Sequence, residues 1–208
     1  MGRREDNKAR KLATLEEVAM RLFLEQGYHP ASIEQIVAEA GIARGTFYLY
    51  FPDKAAIFKH LANKLLSPVL ECLERSREAL KSAATIEQTQ GVYLTLSATI
   101  TQALISNNDA ALLYYRELRD PGEIGDWLRI RALQFDEVVI DLVHDLMNRR
   151  MLRSADPRVV AMAIVGAIDK IAYAYLTGHP VGDQHAVGMT LVELFGQGLI
   201  LPGRDTVE

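Results

Sequence analysis

The sequence predicts an all-α protein, with an N-terminal three-helix helix-turn-helix head followed by a larger C-terminal helical bundle. Apolar residues recur three and four positions apart along most of the chain, which is the spacing of one face of an α-helix. From Thr85 onward, no stretch alternates apolar and polar residues over the length of a β-strand. The helix-turn-helix of the head is indicated by the stretch Ser32 to Lys54, where two short apolar-periodic segments flank Gly41.

The first helix of the head is predicted from about Ala9 to Gln26, and Gly27 ends it. Residues 1–8 are predicted to form a loose basic arm, because residues 1–11 contain five Lys or Arg against two Asp or Glu. Such an arm either collects phosphate contacts or is a solubilising terminus, and the sequence leaves both open.

The second helix begins at Ser32, which forms a capping box with Gln35. Gly41 follows at the position where a left-handed residue ends a helix at low cost. The next segment, Ala43 to Phe51, places its polar and basic side chains on the face opposite Phe47 and Phe51. We assign the core of the head to apolar residues from all three segments: Leu15, Ala19, Leu22, Phe23, Ile33, Ile36, Val37, Ile42, Phe47 and Phe51.

This segment resembles the DNA-binding signature of the TetR family of bacterial transcriptional regulators. The matching residues are Ser32, Ile36, Val37, the run Ala40 to Tyr48, Phe51, Asp53 and Lys54. Three positions depart mildly from the family pattern: Ser32 replaces the usual threonine, Ala43 the commonest serine, and Tyr50 a common histidine. Ala43 would therefore lack one phosphate hydrogen bond.

The resemblance, together with the helix-turn-helix pattern, predicts a set of DNA-binding residues: Ser32, Ala43, Arg44, Gly45, Thr46, Tyr48, Tyr50 and Lys54. Arg44 is predicted to contact a base edge, because a bidentate arginine–guanine pair is the commonest specific contact. Lys54 lies in the first turn of the next helix, where the helix dipole disfavours a cation, so we predict that it meets a phosphate there.

The charge distribution is compatible with a nucleic-acid partner, although the net charge of the chain is −4. Residues 1–60 contain nine Lys or Arg and eight Asp or Glu, whereas the remaining residues contain fourteen and nineteen. The single Cys72 excludes an intramolecular disulfide and fits a reducing compartment. With no secretory signal, and with the longest apolar run, Val159 to Ile168, short of a membrane span, a cytoplasmic location is expected.

The remainder of the chain is predicted to be helical, with residues 1–54 as the DNA-binding domain and residues 55–208 as the ligand-binding and dimerisation domain. A helix from Lys54 to about Ala83 should kink or restart at Pro68. Further helices are predicted near 86–106, 109–119, 124–150, 157–177 and 184–200, separated by Asn, Asp, Gly and Pro residues.

The last two helices are apolar over much of their circumference, which requires cover on more than one side. A core position would satisfy this requirement, but the family resemblance implies a four-helix dimer interface. The predicted interface residues are Val160, Ala163, Ile164, Ala167, Ile171, Val187, Leu191 and Leu194. The middle helices are predicted to enclose an apolar pocket lined by Tyr93, Leu96, Ile100, Leu104, Tyr114, Trp127, Ile130, Gln134 and Tyr173, although core packing is the simpler account of each residue alone.

The function implied by the resemblance is a homodimeric regulator, most often a repressor, that binds a palindromic operator and is released by a small hydrophobic or aromatic effector. The alternative is an all-α protein-interaction adaptor without DNA sequence specificity. An enzyme is not expected, because the histidines show no metal-binding spacing and the sequence contains no phosphate loop or nucleophile elbow. No cofactor and no metal are expected.

Overall fold

The computed structural model describes residues 2–83, 85–179 and 181–199. These residues form nine α-helices and no β-strand, which confirms the predicted all-α class. The helices are α1 (Arg3–Gln26), α2 (Ile33–Glu39), α3 (Arg44–Phe47), α4 (Lys54–Ser82), α5 (Ile86–Ser106), α6 (Asn108–Glu117), α7 (Glu123–Asn148), α8 (Pro157–Leu176) and α9 (Gln184–Leu199). From α4 onward the predicted helices agree with these bounds to within two residues, and residue 200, the predicted end of α9, lies outside the described residues. Helix α1 begins six residues before the predicted start at Ala9, and the predicted segment Ala43 to Phe51 is an α-helix only over Arg44–Phe47.

The chain divides into two compact units, and the limits of these units do not coincide with the predicted domain boundary between residues 54 and 55. The first unit comprises Met1–Pro68 and Ile105–Ile130, and the second comprises Val69–Leu104 and Arg131–Glu208. The helix-turn-helix head therefore shares its compact unit with α6 and the start of α7. The functional division into DNA-binding and ligand-binding domains stays a prediction.

The first unit is organised around one hydrophobic cluster. Of the residues assigned to the core of the head, all are buried except Ile33 and Ile42, which are half-buried and pack against the cluster. Phe58 of α4 meets Phe23 edge-on, with ring centroids 5.6 Å apart. Helices α6 and α7 add three fully buried side chains that the sequence analysis did not assign to this core: Leu113, Ile124 and Leu128.

The predicted loose arm is wrong for residues 3–8, because α1 already begins at Arg3. Glu5 and Asp6 lie in the first turn, where negative charge opposes the positive end of the helix dipole. The backbone N–H of Gly2 also donates to the Glu5 carboxylate at 3.3 Å. Glu5 and Asp6, which reduce the net positive charge of residues 1–8, therefore stabilise the start of α1. The alternative in which Pro68 restarts a helix is also wrong, since α4 includes it.

The second unit contains two smaller apolar clusters. One gathers Leu73 and Leu80 of α4 with Leu142 and Leu146 of α7, and the other joins Val143, Val160 and Ala161. The end of α4 is fixed by Arg149, whose guanidinium donates to the backbone carbonyls of Leu80, Lys81 and Ala83. These bonds satisfy carbonyls that the end of a helix leaves without partners.

Helix α8 is apolar and little covered. By length and composition it could cross a membrane, with a mean hydropathy of 1.7 and 11% of that stretch buried. The sequence analysis ended its apolar run at Ile168, but apolar and aromatic residues continue from Ile171 to Leu176 beyond the charged pair Asp169-Lys170. Length and composition alone do not separate a membrane span from a helix that is covered by protein.

Candidate nucleic-acid interface

The helix-turn-helix is built from the local signals that predicted it. The Ser32 hydroxyl accepts the Gln35 backbone N–H at 3.1 Å, and the Gln35 side chain accepts the Ser32 N–H at 2.9 Å, which completes the capping box. Gly41 ends α2 with a φ of +62°, a left-handed conformation that favours glycine. The Ile42 N–H then donates to the Val37 carbonyl at 3.0 Å and turns the chain toward α3.

The second helix of the motif, α3, is a single turn that presents its polar side to solvent. Phe47 is buried under it, and the backbone N–H of Tyr50 still donates to the Phe47 carbonyl at 2.9 Å, so helical bonding continues past the end of α3. We call the outward-facing residues the α3 surface: Arg44, Gly45, Thr46, Tyr48 and Leu49. Leu49 is 80% exposed and was not predicted to take part. An apolar side chain at such a place can contact a thymine methyl group.

Arg44 is held in place by two neighbours. Its Nη1 lies 2.8 Å from the Glu34 carboxylate on α2, and its Nη2 donates to the Tyr48 hydroxyl at 3.4 Å. The guanidinium carbon also lies 5.9 Å from the centre of the Tyr48 ring. The hydrogen bond to Tyr48 and then the negative charge of Glu34 raise the pKa of Arg44.

Tyr50 connects the end of the motif to α1. Its hydroxyl donates to the backbone carbonyl of Lys8 at 3.1 Å. A tyrosine hydroxyl has one proton to donate and a phosphate oxygen can only accept, so this arrangement uses the donor that a phosphate would need. The predicted phosphate contact of Tyr50 stays a prediction for the DNA complex.

Lys54 faces into the protein rather than toward solvent. Its ammonium donates to the backbone carbonyls of Tyr28 at 2.7 Å, His29 at 3.1 Å and Ala31 at 2.7 Å. It also lies 4.4 Å from the centre of the Tyr28 ring. All three protons of the ammonium therefore have partners in the turn between α1 and α2, which explains why a cation is tolerated at the start of α4. A phosphate contact by this ammonium stays a prediction and requires the exchange of these bonds.

The turn between α1 and α2 also forms hydrogen bonds with the end of α6 and with the loop that follows α6. The buried Glu117 carboxylate accepts the Tyr28 backbone N–H at 3.1 Å, and His29 Nε2 lies 2.6 Å from Asp120 Oδ1. The Asp120 side chain is only 7% exposed. Burial raises the pKa of the Asp120 carboxyl, but hydrogen bonds from His29 and from the Gly122 N–H outweigh it, and the net pKa is lowered.

Tyr28 itself is half-buried and surrounded by acidic groups. Burial, and then the charges of Glu123, Asp53 and Asp120, raise its pKa to about 12. Its phenol therefore stays neutral at physiological pH, and its ring packs edge-on against Phe58 with centroids 5.3 Å apart. The turn is thus fixed by ring packing as well as by hydrogen bonds.

The residues predicted to line a ligand pocket fall in both units. Tyr114 and Trp127 pack against the core of the first unit, where Ile130 is exposed. In the second unit Leu96, Ile100 and Leu104 are half-buried, whereas Gln134 and Tyr173 are exposed. The side chain of Tyr93 lies outside the described residues. Neither unit alone gathers all of the predicted lining residues, and the pocket stays a prediction.

The predicted dimer interface differs in exposure from residue to residue. Val160 packs in the core of the second unit and is largely buried within one chain, and its place in an interface stays a prediction. The exposed apolar residues of α8 lie one position to either side of the predicted stripe and include Val159 and Met162, both 65% exposed. Of the other predicted residues, Ala163 and Leu194 are exposed, whereas the following are half-buried: Ile164, Ala167, Ile171, Val187 and Leu191.

Four residues around the motif escaped the sequence analysis: Glu34, Leu49, Glu117 and Asp120. The role of Glu34 could have been predicted from the sequence, because this acidic residue lies on the polar side of predicted helix α2, next to the basic α3. Glu117 and Asp120 carried none, since they bond residues about ninety positions away. Within the described part of the chain, no group of three His, Cys, Asp or Glu residues could hold a metal ion.

A capped helix, a left-handed glycine and a second helix with an exposed basic side together define a helix-turn-helix DNA-binding regulator. The comparisons with known proteins agree: residues 16–61 match the family model described as bacterial regulatory proteins, tetR family. Residues 16–61 are therefore similar to the DNA-binding domain of TetR-family bacterial transcriptional regulators.

The similarity to individual family members extends over nearly the whole chain. A fatty acid metabolism regulator protein of Bacillus subtilis is 23% identical over 188 residues, which cover 88% of this chain and 92% of that protein. The structure of NalD, the secondary repressor of the MexAB-OprM multidrug efflux pump in Pseudomonas aeruginosa, matches with a TM-score of 0.71 at 23% identity, covering 97% of this chain and all of that one. FadR of Bacillus subtilis in complex with stearoyl-CoA matches with a TM-score of 0.65 at 22% identity, covering 90% of this chain and 98% of that one. At these identities the structures establish the fold.

The bonds of Lys54 predict a measurable loss of stability on its removal. Lys54→Met keeps the aliphatic chain but leaves three carbonyls without their shared donor, so we expect the free energy of unfolding to fall by about 1–3 kcal/mol. Urea denaturation followed by circular dichroism measures this change. Lys81→Met is the matched control, because Lys81 is exposed and pairs only with Glu78 within α4, and its loss should cost about 0.5 kcal/mol or less.

The same variant separates the two roles of Lys54. If the ammonium stays in the turn, Lys54→Met leaves the salt dependence of DNA binding unchanged. If it reaches a phosphate, the slope of log affinity against log salt falls by about one unit. Equal stability of the Lys54 and Lys81 variants would contradict the structural role.

Proposed function

We propose that this chain binds a palindromic DNA operator as a homodimer, represses transcription there, and leaves the operator when a small hydrophobic effector binds. The observation that supports DNA binding is the α3 surface, in which Arg44, Gly45, Tyr48 and Leu49 are exposed and Thr46 is half-buried. Phe47 and Phe51 beneath it are buried. A helix with this arrangement is held rigidly from below and is open to a major groove. Such a regulator acts where the bacterial DNA is, in the cytoplasm.

Within the α3 surface, Arg44 is the proposed base-reading residue, and Gly45 allows the close approach of the DNA backbone. Thr46 and Tyr48 are proposed to contact phosphates or a thymine methyl group, and Leu49 adds a second apolar contact. Ser32 and Ala43 are the N-cap residues of α2 and α3, and their backbone N–H groups are proposed to lie beside the DNA. Phosphate contacts fix the register of the protein, whereas the base contacts carry sequence information.

A homodimer follows from the small reach of one recognition helix. One α3 surface touches few base pairs, whereas two related by a dyad read half-sites about 34–36 Å apart. Helix α8 offers an exposed stripe at Val159, Met162, Gly166 and Tyr173, and α9 offers Met189 and Leu194. A Cβ at Gly166 would meet nothing within 4 Å, so another helix can approach closely there.

The chemistry of α8 favours a second protein copy over a lipid bilayer as its cover. Asp169 and Lys170 are both exposed on this helix, and charged residues are expensive inside a bilayer. A protein interface can pair such charges or leave them at its polar rim.

The effector is proposed to be a small hydrophobic molecule. The support is the likeness to a regulator solved with stearoyl-CoA, together with half-buried apolar side chains at Leu96, Ile100 and Leu104 on α5 of the second unit. Helical bundles hold such ligands in cavities with a few polar groups.

The base-reading role of Arg44 predicts a loss of discrimination. Arg44→Ala should weaken binding to an operator selected from random DNA by about 1–3 kcal/mol while changing binding to scrambled DNA much less. Fluorescence anisotropy at one fixed salt concentration measures both affinities. An Arg44→Ala protein that still prefers the operator as strongly as the wild type would show that the assignment is wrong.

The α8 interface predicts a shift in oligomeric state. Met162→Glu places a charge in the centre of the exposed stripe, so we expect monomers in sedimentation velocity where the wild type forms dimers. Ile130→Glu is the control, because Ile130 is similarly exposed but lies on α7 outside the stripe. A monomeric wild type, or dimers that persist in Met162→Glu as in the control, would contradict the proposal.

The effector proposal predicts release of DNA by an acyl chain. Stearoyl-CoA added to the protein–operator complex should weaken binding by about 5–150-fold, and operator DNA should weaken stearoyl-CoA binding by the same factor because the coupling is reciprocal. Coenzyme A without the acyl chain is the control. Equal release by coenzyme A, or none by either compound with no co-purified apolar molecule in native mass spectrometry, would exclude a hydrophobic effector of this kind.

A further inference from the structure

The ion pair between Glu34 and Arg44 connects the two helices of the DNA-binding motif on their solvent side. Arg44 begins α3, Glu34 lies in the first turn of α2, and their side chains are 61% and 60% exposed. The distance from Arg44 Nη1 to Glu34 Oε1 is 2.8 Å in this ion pair, and Nη2 donates a hydrogen bond to the Tyr48 hydroxyl at 3.4 Å. Glu34 is therefore the charged partner of Arg44 and lies closer to the guanidinium than the Tyr48 hydroxyl does.

An exposed ion pair of this kind adds little to the stability of a fold. The same small free energy does bias where a flexible guanidinium points and so what it binds. The Arg44 side chain has several rotatable bonds, and without a restraint it could follow any nearby phosphate oxygen, which is the contact that supplies non-specific affinity. A bidentate contact to a guanine edge needs the planar guanidinium in one orientation.

The Glu34 carboxylate also places a negative charge on the exposed face beside Arg44. A carboxylate at that place repels phosphates whatever the base sequence. Its presence therefore lowers the affinity for all DNA, and the lost affinity is regained only where Arg44 finds its base.

We propose that Glu34 is a positioning residue for DNA recognition: it holds the Arg44 guanidinium away from phosphates and toward a base edge, and so sets the ratio of operator to non-specific affinity. This inference rests on the proposed base contact of Arg44. Glu34 itself contacts no base.

The chain supplies a matched control on the same helix. Glu39, at the end of α2, is also exposed and forms an ion pair, but its partner is Arg21 of α1. Glu39→Gln removes the same charge by the same chemical change as Glu34→Gln and leaves Arg44 restrained. A comparison of the two variants separates the positioning of Arg44 from the general effect of one negative charge.

The experiment measures the affinity of the full chain for two duplexes by fluorescence anisotropy at one fixed salt concentration. One duplex is the operator selected from random DNA by the wild type, and the other is its scrambled sequence. For Glu34→Gln we expect affinity for the scrambled duplex to rise about threefold and affinity for the operator to change less, so that the ratio falls. Glu39→Gln should leave the ratio unchanged, and the urea midpoints of both variants should match the wild type.

The double variant Glu34→Gln/Arg44→Ala completes a cycle. Because Arg44 is absent from it, the Glu34 substitution should no longer alter the ratio. An unchanged ratio in Glu34→Gln, an equal fall in Glu39→Gln, or a fall that persists without Arg44 would overturn the inference.

The outcomes also separate this inference from the proposed function. If Arg44→Ala loses discrimination while Glu34→Gln retains it, only the role of Glu34 is overturned. If the wild type selects no sequence at all, the proposed function and the inference both fall.

Discussion

The position of the DNA-binding motif depends on a turn of five residues, Gly27 to Ala31, that forms no helix of its own. Three of its backbone carbonyls are bonded to the Lys54 ammonium, and one of its N–H groups is bonded to the buried Glu117 carboxylate. Since α2 begins directly after this turn, whatever fixes the turn fixes the angle at which α2 and α3 leave α1. Buried backbone groups must find partners, and here a lysine and a glutamate supply them.

The features that sequence reasoning predicted are those decided within one helical turn. The capping box at Ser32 and the left-handed Gly41 depend on neighbours three or four residues away, and both are present. The features that it missed depend on distant residues. Lys54 violates the helix-dipole rule, and the sequence could show the violation but not its cause, because the carbonyls that bind the ammonium lie more than twenty residues earlier. The bond between His29 and Asp120 spans ninety-one positions and has no local signature.

The charges of the head affect how strongly it binds DNA of arbitrary sequence. Residues 1–60 carry nearly equal numbers of positive and negative side chains, and several of the positive ones already have partners inside the protein. Arg21 pairs with Glu25 and Glu39, and Lys54 is held by carbonyls. Cations that are held in this way contribute less to the affinity for phosphates of arbitrary sequence.

The proposed second copy would also account for the composition of α8. Packing within one protomer buries Val160 and Ala161 but leaves Val159 and Met162 exposed on the same turn, so the apolar circumference is wider than one core can cover. A soluble helix with such a circumference is stable only if a second surface covers the remainder. The proposed homodimer supplies such a cover, because a dyad relates the α8 stripe of one chain to the same stripe of an identical chain.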